Sequence, residues 1–296
     1  MKLLCSLVGV AFLSACSSNP SGVDRSVAPT PPERVVASAV APTPAPKGKL
    51  VIVGGGGTTD EIIQRALALA GGKDARMLVV GQASSDPKAG EESRVFWMEK
   101  GATNVGVLDL SDPKAALEEV NKAAFVWMPG GDQVRLMAAF DGMSPILDAI
   151  RKRYVEGAVV GGTSAGAAVI SSVMLIGGDK ADLKSVRAGG SQTSPGFGLW
   201  SEAIVDQHFV QRQRFTRLLA CVLDHPELLG VGIDEKTAVV VANGRAEVIG
   251  ESTVLVIDAR ASTRRETKAG ELLSADDLKL HVLRRGDTFE YLPRAK

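Results

Sequence analysis

The sequence is poor in the residues that usually build metal centres. Its 296 residues include only three histidines and three cysteines. No His-Glu-x-x-His motif occurs, so we expect neither a metal nor any other cofactor. The 34 basic residues balance the 34 acidic ones. A neutral chain has no electrostatic reason to bind nucleic acid, and we expect no nucleic-acid partner.

The sequence also lacks an apolar run long enough to span a bilayer. The run over residues 3–13 is too short, but it follows a lysine and ends in Leu13-Ser14-Ala15-Cys16. This pattern is typical of a secretory signal, which we predict over residues 1–15. The cysteine resembles that of a bacterial lipobox and implies lipid attachment; an ordinary signal peptide is the alternative. We therefore expect an exported, lipid-anchored protein, and Ser17 in place of Asp favours the outer membrane.

Residues 16–47 are rich in Pro, Ala, Ser and Val and lack the pattern of a packed element. We interpret them as an extended tether, which leaves residues 48–296 as the folded domain. Because Cys5 leaves with the signal and Cys16 carries lipid, Cys221 is the one cysteine of the domain and no internal disulfide is expected. Its apolar neighbours indicate a small buried side chain rather than a reactive thiol.

Strand and helix patterns alternate from Lys49 onward. Continuously apolar strands indicate burial on both faces, and hence a parallel sheet with helices on each side. Ligands bind such sheets beyond the carboxyl ends of the strands. The predicted strands cover residues 50–53, 77–80, 105–108, 125–128 and 158–160, and the predicted helices cover 60–70, 91–100 and 115–122.

The central motif is Gly162-Thr163-Ser164-Ala165-Gly166, between an apolar strand and a run of small residues. It fits the G-x-S-x-G nucleophile elbow, in which a serine in a strained turn exposes its hydroxyl. The glycines let strand and helix approach closely, and the N–H of Ala165 is a candidate oxyanion donor. The alternative is a glycine-rich turn in which the serine only caps the helix.

Two other glycine-rich stretches follow predicted strands. The run from Gly54 to Gly57 fails the dinucleotide spacing G-x-G-x-x-G, so we expect a tight turn at the rim of a site. In Pro129-Gly130-Gly131-Asp132-Gln133, Gly131 is a candidate second oxyanion donor and Gln133 a candidate ligand for substrate amides. A turn with Asp132 as a helix cap is the alternative.

A base and an acid are expected at other strand ends. His208 lies at the end of a predicted apolar strand within residues 203–209, which favours it over His225 and His281. The acid that orients an imidazole would come from Asp234 or Glu235, and spacing cannot choose between them.

Three arginines, Arg212, Arg214 and Arg217, fall at the start of an amphipathic helix predicted over residues 212–223. Cations in a first helical turn oppose the helix dipole, which suggests that they meet an anion. A solvated helix face is the alternative.

The pattern changes to short strands from Thr237 onward, with turn signals such as Asn243-Gly244. We expect an antiparallel extension of the same domain, without obvious chemistry. The predicted strands are 238–241, 246–249, 254–257, 280–283 and 289–292.

Together these motifs resemble cyanophycinase, a branch of the serine peptidases that includes dipeptidase E. The resemblance covers residues 49–292, and the segment 179–200 matches least. It implies an α/β fold like that of class I glutamine amidotransferases, with a mostly parallel central sheet and helices on both faces. The matching motifs are Gly130-Gly-Asp-Gln133, Gly161-Gly-Thr-Ser164-Ala-Gly-Ala, Asp206-Gln-His208-Phe with the three arginines, and Gly232-Ile-Asp-Glu235-x-Thr-Ala238.

The resemblance also implies the roles of these residues. Ser164, His208 and Glu235 would form the catalytic triad, which selects Glu235 as the acid. The family cleaves cyanophycin, a poly-aspartate with arginine on each side chain, and releases β-Asp-Arg dipeptides. The residues that would line the substrate pocket are Gln133, Asp206, Gln207, Arg212, Arg214 and Arg217.

The mechanism we expect is that of a serine exopeptidase with an acyl-enzyme. Two alternatives stay open: a dipeptidase E-like or iso-aspartyl peptidase acting on short Asp-containing peptides, and a non-catalytic lipoprotein that binds acidic polymer. The expected partners are cyanophycin or another Asp-rich peptide and, through the lipid, a membrane. A homodimer is a further alternative.

Overall fold

The computed structural model describes residues 46–177 and 186–292. The predicted signal peptide, Cys16 and all but the last two residues of the predicted tether lie outside these ranges. Within them, no helix combines the length and the apolar character that crossing a membrane would need.

The described elements follow the predicted alternation and then the predicted run of strands. In chain order they are β1 Lys49–Val53, α1 Asp60–Leu69, β2 Met77–Val79, α2 Ala89–Glu99, β3 Val105–Val107, α3 Pro113–Lys122, β4 Phe125–Met128, α4 Gln133–Ala138, α5 Ser144–Glu156, β5 Val159–Thr163, α6 Ala165–Ala168, β6 Val173–Leu175, β7 Thr193–Pro195, β8 Ala203–Gln207, α7 Phe215–Asp224, β9 Leu229–Ile233, β10 Thr237–Ala242, β11 Arg245–Gly250, β12 Thr253–Asp258, β13 Thr263–Arg264, β14 Ala275–Asp276, β15 Lys279–Arg284 and β16 Thr288–Glu290.

A large mixed sheet carries the glycine-rich loops. Its strand order is β16-β11-β10-β1-β5-β4-β2-β3. The strands from β1 to β3 in that order pair in parallel, as predicted, and β10, β11 and β16 add antiparallel pairs at one side. Val53 lies opposite Thr163, and Met128 lies opposite Gly162. The carboxyl ends of β1, β4 and β5 therefore meet at one edge.

A second sheet has the order β15-β12-β9-β8. Strands β8 and β9 are parallel, with Gln207 opposite Ile233, so their carboxyl ends also lie side by side. The late strands predicted as one extension are thus divided between two sheets. Alternating hydrophobicity marks a strand but carries no information on which non-local edge the strand will pair with.

The core lies on both faces of the large sheet. Leu50 and Ile52 face one cluster, which also holds Val205 and Val231 of the second sheet. Val51 and Val53 face the other, beneath α1 and α2. The second sheet therefore packs against the large one. Helix α7 covers its outer face, where Leu218 and Ile204 share a cluster.

Local signals explain several boundaries. Helix α1 begins after Thr59, whose hydroxyl accepts the N–H of Ile62 at 3.5 Å. The prediction missed α5, although Pro145 in its first turn and its buried apolar residues are a helix signal. Cys221 is fully buried, and burial raises the pKa of its thiol to about 12, which confirms the interpretation of an inert side chain.

The helix that carries the arginines begins later than predicted. Helix α7 starts at Phe215 rather than Arg212, with Arg214 as its N-cap residue. The argument from the helix dipole therefore applies to Arg217 alone. A turn comes first because Arg212 donates its N–H to the carbonyl of His208, at 2.9 Å, and Gln213 adopts a left-handed φ of 53°.

Candidate active site

Ser164 lies in a strained turn between β5 and α6. Its φ of 55° and ψ of −112° are unusual for a residue with a side chain. Its N–H donates to the carbonyl of Val53 at 3.1 Å, which ties the turn to the neighbouring strand. The surrounding structure thus holds a conformation that the residue would not adopt alone.

The flanking glycines are required by close approach. A Cβ on Gly162 would lie 2.5 Å from the carbonyl carbon of Gly166, and one on Gly166 would lie 2.7 Å from that of Met128. Both distances are shorter than real contacts allow. The local geometry is therefore that of the predicted elbow.

His208 and Glu235 follow the adjacent ends of β8 and β9. The Nε2 atom of His208 lies 2.8 Å from the Oγ of Ser164, and its Nδ1 atom lies 2.6 Å from the Oε1 of Glu235. Since a carboxylate only accepts hydrogen bonds, Nδ1 donates and Nε2 accepts the serine O–H. A serine that follows a strand of the large sheet is thus hydrogen-bonded to a histidine, and that histidine to a glutamate, which both follow strands of the second sheet.

The glycine run after β1 packs against both partners of the serine. A Cβ on Gly55 would lie 2.5 Å from Nε2 of His208, and one on Gly56 would lie 2.5 Å from Cβ of Glu235. The carbonyl of Gly54 accepts the N–H of His208 at 2.7 Å. This run forms the rim of the site, as predicted from its failed dinucleotide spacing.

The two candidate oxyanion donors lie in the turn after β4 and at the start of α6, which follows the serine. A Cβ on Gly130 would lie 3.5 Å from Cβ of Ser164, so the turn after β4 packs against the serine. Within the described ranges, no acceptor receives the N–H of Gly131 or of Ala165. Asp132 donates its N–H to Ala83 at 2.9 Å, and its side chain caps α4. Asp132 therefore caps the helix, as the alternative stated, and the N–H of Gly131 is still available as a donor.

Asp206 and Arg217 form a buried ion pair behind the site. They are 1% and 6% exposed. The Nη2 and Nε atoms of Arg217 donate to the two carboxylate oxygens of Asp206 at 2.5 and 2.8 Å. Arg214 also lies near this carboxylate, with its Nη1 atom 3.7 Å from Oδ1 of Asp206. The anion expected for the arginines is thus, for Arg217 and Arg214, a residue of the protein.

The other predicted pocket residues differ in exposure. Arg214 is buried and donates to the carbonyl of Gln207 at 2.8 Å, whereas Arg212 is exposed. Gln133 is partly buried and donates its amide to Leu175 at 3.1 Å. Gln207 is 3% exposed, and its Oε1 has no partner among the described residues.

The fold and the arrangement of Ser164, His208 and Glu235 can be compared with those of known classes of protein. A peptidase from an acI-B1 actinobacterium has a similar structure, with a TM-score of 0.59 at 21% identity over 82% of this chain and 97% of that one. The likeness places the fold with those of class I glutamine amidotransferases, as the resemblance implied, and the chain is a peptidase of the serine type.

More narrowly, the chain belongs to peptidase family S51, whose sequence model matches residues 50–249. It is similar to a cyanophycinase from Geminocystis herdmanii, with 38% identity over 77% of this chain and 87% of that protein. A cyanophycinase from a Nostoc species is 36% identical over 79% of this chain and 81% of that protein. One from Synechococcus elongatus is 34% identical over 82% and 79%.

Sequence reasoning missed a polar cluster next to the acid. No chemistry was expected from Thr237 onward, yet Thr237 and Ser252 hydrogen-bond beside Glu235. The only sequence signal for this cluster was Thr237, two residues after Glu235. Ser252 gave no signal, because it comes near Thr237 only when distant strands pair.

Proposed function

We propose that the chain is a serine exopeptidase that hydrolyses cyanophycin to β-Asp-Arg dipeptides through Ser164, His208 and Glu235. The observation that carries the proposal is the continuous hydrogen-bonded chain from Ser164 Oγ through His208 to Glu235. The similarity to proteins named cyanophycinase supports the substrate.

In the proposed reaction, Ser164 Oγ attacks the scissile carbonyl carbon while Nε2 of His208 takes the hydroxyl proton. The negative oxygen that forms accepts hydrogen bonds from the N–H groups of Gly131 and Ala165. The imidazolium then donates its proton to the leaving amine as the C–N bond breaks. Glu235 stabilises the imidazolium throughout.

The second half of the reaction repeats these steps with water. His208 takes a proton from water, the resulting hydroxide attacks the acyl-enzyme carbonyl, and the ester bond to Ser164 breaks as its Oγ recovers the proton. No other group is needed to balance the reaction, because each proton taken by His208 is returned within the same half-reaction.

Substrate binding is assigned to the polar groups around the serine. Gln207, at the carboxyl end of β8, would contribute a hydrogen bond to the substrate. Gln133 and Arg212 would contact substrate polar groups at the rim. Asp206, Arg214 and Arg217 would support the wall from behind, since all three are buried.

The test compares hydrolysis of purified cyanophycin with hydrolysis of short Asp-containing and iso-aspartyl peptides, followed by mass spectrometry of the products. We expect release of β-Asp-Arg dipeptides from the polymer, and none from the Ser164→Ala variant. Efficient cleavage of the short peptides alone would favour a dipeptidase E-like enzyme. Polymer binding without cleavage would favour a non-catalytic lipoprotein.

The location is part of the same proposal. A lipid on Cys16 and the tether over residues 16–47 would hold the enzyme at the outer membrane or the cell surface. A tether of this length reaches about 30 Å as a flexible coil, and further where proline stiffens it. This reach would bring the site to polymer that lies outside the cell.

A further inference from the structure

Asp234, the acidic neighbour of Glu235, is buried and fully hydrogen-bonded. It is 3% exposed. Its Oδ1 accepts the N–H of Val210 at 3.2 Å, and its Oδ2 accepts the hydroxyl proton of Ser252 at 2.5 Å. Burying a carboxylate is costly unless its oxygens are occupied, so these two contacts hold the side chain in one place.

The hydrogen bonds continue from Ser252 to the backbone of Glu235. Ser252 donates its N–H to the hydroxyl of Thr237 at 2.8 Å, and that hydroxyl donates to the carbonyl of Glu235 at 3.1 Å. Each hydroxyl has one proton, and each gives it to a different acceptor. A continuous chain of hydrogen bonds, in which Asp234 accepts from both sides, therefore links the backbone of Glu235 to that of Val210, two residues beyond His208.

The two backbone segments that this chain joins are strained. His208 has a φ of 47° and Lys236 a φ of 54°. Such residues keep a left-handed conformation only where the surroundings hold them. Backbone bonds to Gly54 and Gly55, at 2.7 and 2.8 Å, hold one side of these segments. The chain through Asp234 holds the other.

We infer that Asp234, with Ser252 and Thr237, is a positioning residue that sets the geometry between His208 and Glu235. The inference rests on the proposed roles of these two residues. Asp234 acts through Val210 and Ser252 and not on substrate. A displacement of about 1 Å at a catalytic group can cost 10²-fold in rate, so loss of this support should slow the chemical step.

Two variants of Asp234 give the test. Asn can accept from Val210 and donate to Ser252, whereas Ala can do neither. We expect Asp234→Ala to lower kcat by about 10- to 100-fold with little change in KM. Asp234→Asn should stay within a few-fold of wild type, by the same reasoning. Equal losses in the two variants would overturn the inference.

A second measurement does not depend on the substrate. Diisopropyl fluorophosphate reacts with an activated serine, and its rate of reaction with Ser164 should fall in Asp234→Ala in proportion to kcat. A normal rate in that variant would overturn the inference and leave the proposed function standing. An unreactive Ser164 in the wild type would overturn both.

Tyr291→Phe is the matched control, because its hydroxyl accepts the N–H of Gly244 at 3.2 Å in the turn between β10 and β11. It should lower the melting temperature without changing the reaction with diisopropyl fluorophosphate. If Asp234→Ala fails to fold, Ser252→Ala breaks the same chain at its next link. A normal rate in Ser252→Ala would then overturn the inference.

Discussion

The proposed chemistry of Ser164 comes from its side chain, whereas its strain lies in its backbone. A change of the side chain alone can therefore alter activity without altering the fold. The side chain is partly exposed and contributes one hydroxyl, whereas its φ of 55° belongs to the backbone. Ala at this position meets the same backbone strain as Ser.

Ser164→Ala should therefore abolish turnover and leave the fold intact. We expect a loss of at least about 10⁴-fold in kcat, the scale seen when a serine nucleophile is removed. Steady-state hydrolysis of the polymer and a thermal melt measure the two effects. Near-normal turnover in this variant would end the proposal of a serine nucleophile.

Arg217 and Arg212 look alike in the sequence, but only Arg217 is buried. We therefore expect their replacement to have different effects on stability. Removing Arg217 takes both of its hydrogen bonds from the buried Asp206 carboxylate and leaves Arg214, 3.7 Å away, as the cation beside that charge. Breaking a buried ion pair in this way costs about 3 kcal/mol. Arg217→Gln should accordingly lower the melting temperature by roughly 6–12 °C for a domain of this size. Differential scanning calorimetry gives the value.

Arg212→Gln is the comparison, because the side chain of Arg212 is exposed. We expect its effect on stability to stay within about 0.5 kcal/mol, as for most surface substitutions. Equal destabilisation of the two variants would show that burial does not distinguish these arginines.

At the scale of elements, the loop after β1 acts as a template for the site. Its carbonyls bind the backbone of His208 and Lys236, and its Cα atoms lie against the side chains of His208 and Glu235. The absence of side chains in this loop is what lets it pack there.

Gly55→Ala should impair catalysis through this packing. Its Cβ would lie 2.5 Å from Nε2 of His208, so the ring that bonds Ser164 must shift. We expect a loss of about 10²-fold in kcat. The strain of a residue with φ of 107° adds a stability cost of about 1–3 kcal/mol.

Gly57→Ala tests the effect of backbone strain without the contact with His208. Gly57 has nearly the same φ, 105°, but a Cβ there would meet no atom of the described chain within 4 Å. Both melting temperatures should fall because of the strain, and that of Gly55→Ala should fall further because of its contact with His208, while kcat should fall only in Gly55→Ala. Matching losses of kcat would mean that backbone strain, and not contact with His208, impairs the enzyme.

At the scale of the whole molecule, the site depends on the docking of two sheets. Ser164 follows β5 of the large sheet, whereas His208 and Glu235 follow strands of the second one. Their shared hydrophobic cluster holds the sheets together. The hydrogen bonds of the site therefore form only in the packed domain.

The predicted anchor leads to a test at the same scale. If Cys16 is lipidated, several acyl chains at about 0.8 kcal/mol per buried CH₂ give stable membrane binding. Intact-mass analysis of the mature protein should show a lipidated N-terminal Cys16. Cys16→Ser should release the protein from membranes and leave activity on soluble substrate unchanged. An unmodified N-terminus beyond residue 16 would mean a freely secreted enzyme.

The sequence by itself determined the features that depend on neighbouring residues. Period and capping predicted β1, β4 and α1 to within a residue or two, and the glycine spacing around Ser164 predicted its turn. These features depend on backbone conformations and side chains a few residues apart. A short stretch of sequence is therefore enough to predict them.

Only the tertiary structure decided which distant groups meet. Spacing could not choose between Asp234 and Glu235, whereas the parallel register of β8 and β9 brings Glu235 to His208 and turns Asp234 toward Val210 and Ser252. In the same way, Asp206 meets Arg217 because α7 packs across the second sheet. Such pairings arise from the packing of whole elements, whose partners no local stretch of sequence specifies.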